Sequence, residues 1–408
     1  MKKLVSLMLV LSLLSALLIG CGNTTANKGG SEAGTDSAVA ENAGNEQNGE
    51  NAEAGSAEGF RVGGIGPVTG GAAVYGIAVK NGAQLAVDEI NAAGGVNGTP
   101  IVFSFEDDEH DPEKAVNAYN TLKDWDMQLL MGTVTSTPCI AVAQETMNDN
   151  MYMLTPSGTA VECVQYDNAF RVCFSDPNQG AKSAEYIGTN KIASKVAVIY
   201  DSSDVYSSGI YTEFVNSAAE YGIEIVAAES FTSDNKTDFT IQLQKAKDGG
   251  AELVFLPIYY QEAALILSQA DSMGFAPMFF GCDGLDGILS VEDFDVALAE
   301  GVMLLTPLVA DENDKTRAFV AAYEAAYGET PIQFAANAYD AMYIIKAALE
   351  QSGAAADMSA SEISDLMKTA MLEITVDGIT GEMTWTEDGE VNKEPKAVKI
   401  VDGAYTAM

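Results

Sequence analysis

The sequence predicts an α/β protein of two doubly wound lobes, each a parallel sheet covered by helices on both faces. Three observations lead there. From Phe60 onward, short β-rich apolar runs alternate with helical stripes. The runs are apolar along most of their length, as strands buried on both faces are. The nine runs exceed what one compact doubly wound domain needs, and the alternation restarts near Ala193. A hydrophobic share of 47% with 38 glycines suits such a body, and 408 residues allow two or three domains.

The N-terminal segment precedes the fold. Lys2 and Lys3 lead into an almost unbroken apolar run from Leu4 to Ile19, the layout of a secretory signal and short for a membrane span. Leu18-Ile19-Gly20-Cys21 resembles the lipobox of bacterial lipoproteins. That resemblance implies a signal peptide over 1–20, a diacylglyceryl group on Cys21, and a protein anchored by lipid at the extracytoplasmic face of the cell membrane. Residues 22–59 contain seven acidic residues, one lysine and no aromatics. Such a stretch cannot bury enough apolar surface to offset its conformational entropy, so 21–59 is expected to be a lipidated cysteine with a disordered acidic tether. Its r.m.s. reach is roughly 30–35 Å.

Strands are expected at Arg61–Ile65, Ile101–Phe105, Gln128–Met131, Met151–Leu154, Lys195–Tyr200, Ile223–Val226, Leu253–Leu256, Met278–Phe280 and Val302–Leu305. Between the first two, Ala83, Ala86, Val87 and Ile90 fall on one helical face, and Gly94-Gly95 supplies a stop. Ala264, Leu267 and Ala270 form a second stripe, and Ala338, Met342, Ile345 and Leu349 a third. All three are expected to be core.

Charge and composition exclude several functions. The 59 acidic and 21 basic side chains give a formal net charge of −38. A polyanion of that kind repels phosphate backbones, so no nucleic-acid partner is expected. His110 is the only histidine, and no Gly-x-Ser-x-Gly elbow accompanies it. Histidine-based catalysis and multi-histidine metal sites are therefore set aside, and neither enzyme activity nor a cofactor is expected. In Gly64-Ile65-Gly66-Pro67-Val68-Thr69-Gly70 the third glycine falls one position late for a dinucleotide fingerprint. The cluster from Asp107 to Pro112 lacks EF-hand spacing and reads as a solvated turn in which Asp111-Pro112 opens a helix. Cys139, Cys163, Cys173 and Cys282 are expected as buried free thiols, with Cys139 and Cys163 the pair that could lie close together.

In doubly wound sheets ligands sit beyond the carboxyl ends of the strands. After the third run comes Gly132-Thr133-Val134-Thr135-Ser136-Thr137-Pro138. Pro138 suits the first helical turn and Ser136 or Thr137 its cap, so free N–H groups and hydroxyls would face outward together and suit a carboxylate. Thr155-Pro156-Ser157-Gly158-Thr159, after the fourth run, is a second turn of this kind.

With these turns on the page, the chain resembles the extracytoplasmic solute-binding proteins of branched-chain amino acid ABC transporters, the Leu/Ile/Val-binding family, over about 60 to 400. The matching stretches are Ile65-Gly66-Pro67-Val68-Thr69-Gly70 with Tyr75-Gly76, Ala86-Val87-Asp88-Glu89-Ile90-Asn91 with Gly94-Gly95-Val96-Asn97-Gly98, and Asp107-Asp108 with Asp111-Pro112. Further on come Thr155-Pro156 with Thr159, Phe170-Arg171 with Gln179-Gly180, and Tyr206-Ser207-Ser208-Gly209. The resemblance implies the periplasmic-binding-protein-like I fold, with lobe 1 over 60–174 and 308–388 and lobe 2 over 175–307 and 389–408. Three hinge crossovers would join them, and ligand would be enclosed by closure. It implies that Ser136 and Thr159 bind a ligand α-carboxylate, while the Ser157 carbonyl, Tyr206 and Asp283 hold its α-ammonium. Tyr75 and Tyr259 would line the pocket. Many members carry Glu where this chain has Asp283. The expected partners are a small amino acid and the permease subunits of an ABC transporter, with the receptor acting as a monomer. A sensory or uptake receptor of the same fold for another small polar metabolite, an amide or aromatic acid, is the alternative.

Overall fold

The computed structural model describes residues 59–408. The expected signal segment, Cys21 and the tether as far as residue 58 lie outside the described residues. The first sheet contains β1 (Phe60–Gly66), β2 (Ile101–Asp107), β3 (Leu129–Gly132), β4 (Met153–Thr155) and β5 (Ala169–Arg171), in the order β2-β1-β3-β4-β5. Every neighbouring pair is parallel. The linking helices are α1 (Ala73–Ala92), α2 (Pro112–Asp124) and α3 (Ser136–Asp149). As expected, Asp111 caps α2, its carboxylate accepting from the N–H groups of Glu113 and Lys114 at 2.9 Å. The turn before it is not solvated throughout, however, because Asp108 is buried and accepts from His110 N at 2.9 Å.

Past β5 the chain enters α4 (Asp176–Thr189) and builds the second sheet. Its parallel body contains β6 (Lys195–Asp201), β7 (Glu224–Phe231), β8 (Leu253–Leu256), β9 (Met278–Gly281) and β10 (Met303–Thr306). The helices are α5 (Val205–Ala218), α6 (Thr240–Asp248) and α7 (Tyr260–Ser272). The chain then returns to the first sheet through α8 (Asp314–Tyr327), α9 (Gln333–Ser352) and α10 (Ala360–Met371), followed by the hairpin β11 (Val376–Gly378) and β12 (Gly381–Met383). A third crossing brings β13 (Lys396–Val401) and β14 (Ala404–Ala407) to the second sheet, which reads β14-β13-β10-β9-β8-β6-β7.

All nine expected runs form strands, and all nine are parallel. The second sheet is not wholly parallel, because β13 runs antiparallel to β10 and β14 antiparallel to β13. The turn between them, Asp402-Gly403, has φ values of 51° and 75°, the positive pair that a two-residue hairpin requires.

The three helical stripes are core, as their spacing predicts. Helix α1 lies close against α9, where Gly82 matters: a Cβ there would stand 2.1 Å from the carbonyl oxygen of Ala335. The two helices can meet at that distance only without a side chain. All four described cysteines are buried free thiols. Among the described residues no helix is long and apolar enough to cross a membrane, and no group of three or more His, Cys, Asp or Glu side chains is placed to hold a metal ion.

Candidate functional site

The parallel strands of both sheets deliver their following residues to one place. Tyr75 opens α1, Ser136 opens α3 and Ser157 and Thr159 follow β4, all on the first-sheet side. Tyr206 lies in α5, Tyr259 precedes α7 and Asp283 follows β9, on the second-sheet side. These seven residues line one narrow cavity, about 220 Å³ including its opening. Sequence reasoning named all seven. It missed Val134, Thr135, Gly284 and Phe334, which complete the wall.

On the first-sheet side the site is a nest of hydroxyls and N–H groups. Ser136 Oγ accepts from the N–H groups of Thr159 at 3.3 Å and Ala160 at 3.2 Å, and lies 3.3 Å from Thr159 Oγ1. Ser157 Oγ donates to Val134 O at 2.8 Å, tying the two turns together. Thr155 Oγ1 accepts from Gly158 N at 2.7 Å. The cap of α3 is Thr135, with no side-chain hydrogen bond, so neither Ser136 nor Thr137 is the cap that the sequence suggested. Ser136 begins the helix instead, its hydroxyl turned to the neighbouring turn.

Behind this turn lies Arg171, whose side chain is fully buried. Its guanidinium donates to the carbonyls of Thr159 at 2.6 Å, Ala160 at 2.8 Å and Gly158 at 3.2 Å. Three consecutive carbonyls drawn to one cation fix the path of the turn, whose N–H groups donate to Ser136 Oγ and Thr155 Oγ1. Arg171 is therefore a positioning residue. Its signal in the sequence is a charged residue inside the apolar stretch Phe170-Arg171-Val172-Cys173-Phe174, since a buried charge has to be satisfied by the surrounding fold.

On the second-sheet side, Asp283 is only 5% exposed. Its Oδ1 accepts from Tyr206 Oη at 2.8 Å, and its N–H donates to Gln179 Oε1 at 3.1 Å. Burial pushes the carboxyl up to about 6, against the hydrogen bonds from Tyr206 and Gln179 that favour the charge. A partly desolvated acid held this way favours a cationic partner. Asp176, at the start of α4, is also buried. Desolvation drives its carboxyl well above the ordinary range, with the charge of Asp283 adding to the rise.

Aromatic rings close the remaining walls. Tyr75 stacks on Phe334 with centroids 4.2 Å apart and meets Tyr259 edge-on at 5.5 Å. Tyr206 stacks on Tyr259 at 5.0 Å. Tyr75 Oη donates to Gly284 O at 2.5 Å and accepts from Tyr260 N at 3.2 Å, so a side chain of the first-sheet side is bonded directly to the backbone of the other. The arrangement offers donors for an anion on one side, a carboxylate for a cation on the other, and rings between.

Known proteins carry the same architecture. A family model described as periplasmic binding protein matches residues 59–404. Leu/Ile/Val-binding protein homolog 3 of Brucella melitensis is 30% identical over 336 residues, 81% of this chain and 88% of the relative. The leucine-, isoleucine-, valine-, threonine- and alanine-binding protein of Pseudomonas aeruginosa is 28% identical over 82% of this chain and 88% of its own length. The crystal structure of the branched-chain amino acid transporter substrate-binding protein LivJ of Streptococcus pneumoniae, in complex with isoleucine, superposes with a TM-score of 0.78 at 29% identity. It covers 86% of this chain and 98% of that one. With the fold, the cleft and the match all spanning the described body, the chain belongs to the periplasmic binding protein family, among relatives of the Leu/Ile/Val-binding type.

Proposed function

We propose that this protein is the extracytoplasmic substrate-binding component of an ABC transporter, which takes up an α-amino acid between its lobes and delivers it to the permease. The observation that supports this most directly is the polarity of the cavity: hydroxyl and N–H donors come from one side and the buried Asp283 carboxylate from the other. A zwitterion leaving water needs both, because an unpaired charge in such a place is very costly.

In this reading Ser136 and Thr159, with the N–H groups of their turns, hold the α-carboxylate. Asp283, Tyr206 and the Ser157 carbonyl hold the α-ammonium, and Tyr75 and Tyr259 pack against the ligand body. The lobes are 60–174 with 308–388 and 175–307 with 389–408, joined by three hinge crossovers. Ligand bridging the cleft favours closure, and the permease recognises the closed form. The branched-chain amino acids named for the relatives are the first candidates. The receptor acts as a monomer held to the membrane through a lipid on Cys21.

A thermal-shift screen of the full chain against the twenty amino acids and their amides tests the ligand class. A true ligand at a hundredfold excess over its Kd stabilises by about 2.7 kcal/mol and stands out. Stabilisation by none of them would remove the reading. The anchor is tested separately: Cys21→Ser should lose both membrane association and labelled-lipid incorporation, and unchanged fractionation would argue against it.

A further inference from the structure

The outer edge of the first sheet is β5, and it is not left open. The third crossing, from β12 to β13, folds a tight turn against it before reaching the second sheet. Gly389 N donates to Thr386 O and Thr386 N to Glu390 O, each at 3.0 Å, which closes the turn. Its tip lies on the strand: Arg171 N donates to Gly389 O at 3.1 Å, and a Cβ on Gly389 would stand 2.3 Å from the carbonyl oxygen of Ala169. Only glycine suits that approach together with the φ of 73° found there. The buried Trp385 adds a bond from its Nε1 to Arg171 O at 2.8 Å.

The third crossing therefore holds both backbone groups of Arg171, and it also meets its charge. Nη1 and Nη2 go to the carbonyls of Gly158, Thr159 and Ala160, whereas Nε faces Glu390 Oε2 at 3.4 Å. Among the described residues Glu390 is the one carboxylate paired with this guanidinium. A fully buried cation needs such a counter-charge, and here a partly exposed side chain at the rim supplies it. The three carbonyls belong to the turn that carries Thr159, and the N–H groups of Thr159 and Ala160 hold Ser136 Oγ. A line of bonds thus runs from Glu390 through Arg171 to the hydroxyls of Ser136 and Thr159.

We infer that Glu390 is a positioning residue for the ligand's α-carboxylate: paired with Arg171 from the third crossing, it steadies the Gly158–Ala160 turn and couples that crossing to the carboxylate site. The inference rests on the proposed holding of the α-carboxylate by Ser136 and Thr159. Glu390 is not part of the cavity wall, so it acts through Arg171 and not by touching ligand. Without its charge the guanidinium keeps its carbonyls but is free to tilt, and the turn loses the position that the two hydroxyls require.

Arg171 itself is unsuited to a test, because its removal leaves three buried carbonyls without their donor. Glu390→Gln removes the charge and keeps the shape. Calorimetry on the full chain, with whichever of the twenty amino acids gives the largest thermal shift, compares Glu390→Gln in three backgrounds: the parent, Ser136→Ala and Asp283→Ala. In the parent the substitution should weaken binding about fivefold. Beside Ser136→Ala it should cost about twofold or less, because part of the contact it positions is already gone, and beside Asp283→Ala the full factor should remain. Parental affinity in Glu390→Gln, with or without a change in melting temperature, overturns the inference and leaves the amino acid reading standing. Equal losses in all three backgrounds also overturn it, because the pair would then act on the fold at large and not on the carboxylate site. If none of the twenty amino acids stabilises the parent, the reading beneath falls and the inference falls with it.

Discussion

At the scale of single residues, Asp283 is the group on which recognition turns. Its carboxyl titrates near 6 instead of the usual 3.8, and burial is the main cause. The native protein therefore takes up a proton at pH values where the unfolded chain would not. Its contribution to stability is present below about pH 4 and is lost as pH rises through about 6. Ligand binding runs the opposite way, because an ammonium pairs with the ionised form. Affinity should rise as pH increases through about 6 and level off above it, with proton release in that window when titrations are compared in buffers of different ionisation enthalpy. A flat profile between pH 5 and about 7 would show that the ammonium does not meet Asp283. Asp283→Ala should weaken binding by about 2 kcal/mol or more, and unchanged calorimetric affinity would take the residue out of the site. Ser136→Ala makes a separate claim. Ser136 Oγ accepts from two backbone N–H groups of the following turn, so the substitution should cost about 1–3 kcal/mol of ligand affinity. A change in thermal stability alone, with affinity intact, would make Ser136 a brace for the turn and not a ligand contact.

At the scale of elements, the site depends on parts that are far apart in the chain. The hairpin of β11 and β12 is fixed to α9 through Asp340, which accepts from the N–H groups of Ile379 at 2.8 Å and Thr380 at 2.9 Å, and from Thr380 Oγ1 at 2.5 Å. Lys393 Nζ donates to the same Thr380 Oγ1 at 2.6 Å, and burial brings its pKa down to about 8. Removing Asp340 leaves the buried Lys393 ammonium with Asn337 and Thr380 but without that carboxylate's charge nearby. Asp340→Ala should therefore cost about 3 kcal/mol or more in denaturant titration, and a loss below 1 kcal/mol would mean the network is worth little. Gly82→Ala tests the contact of α1 with α9: with 2.1 Å available to the new Cβ, the helices must separate and carry Tyr75 and Phe334 with them. The strands that sequence reading found carry mostly apolar runs: β3, β4, β8 and β10 are buried along their whole length, while the edge strands β2 and β7 are not. The strands it missed lack that pattern. β5 is only Ala169–Arg171 and ends in a charge that tertiary contacts satisfy, while β13 and β14 form an edge hairpin carrying Lys396 and Lys399. Asp402-Gly403 was a readable hairpin signal there. Among site residues, hydroxyl turns after strands are legible because local geometry makes them. Phe334 is not, because only the packing of α9 against α1 brings it to the cavity.

At the scale of the whole molecule, individual side-chain bonds tie residues on the first-sheet side to residues on the second-sheet side. Tyr75 Oη is one of them, shared between Gly284 O and Tyr260 N. Gln333 is another: its N–H donates to Asp286 Oδ2 at 2.8 Å, and its amide lies 3.4 Å from Asp283 O. Burial keeps the Tyr75 phenol far above its ordinary pKa, so it remains a donor at every physiological pH. Tyr75→Phe removes that hydroxyl while keeping the ring that stacks on Phe334, so it changes the latch without emptying the wall. A latch worth about 1 kcal/mol shifts a two-state opening equilibrium roughly fivefold. Because ligand affinity is reduced by the fraction of protein not in the binding-competent form, the same substitution should weaken binding by a comparable factor wherever the open form already dominates. Small-angle scattering of the ligand-free variant should show a larger radius of gyration than the parent, and saturating ligand should bring the two profiles together. If the variant scatters like its parent without ligand yet binds more weakly, the hydroxyl touches the ligand and not the lobe opposite. If neither quantity changes, closure is governed by the ligand and the hinge crossovers alone, and the bond from Tyr75 to Gly284 follows closure without driving it.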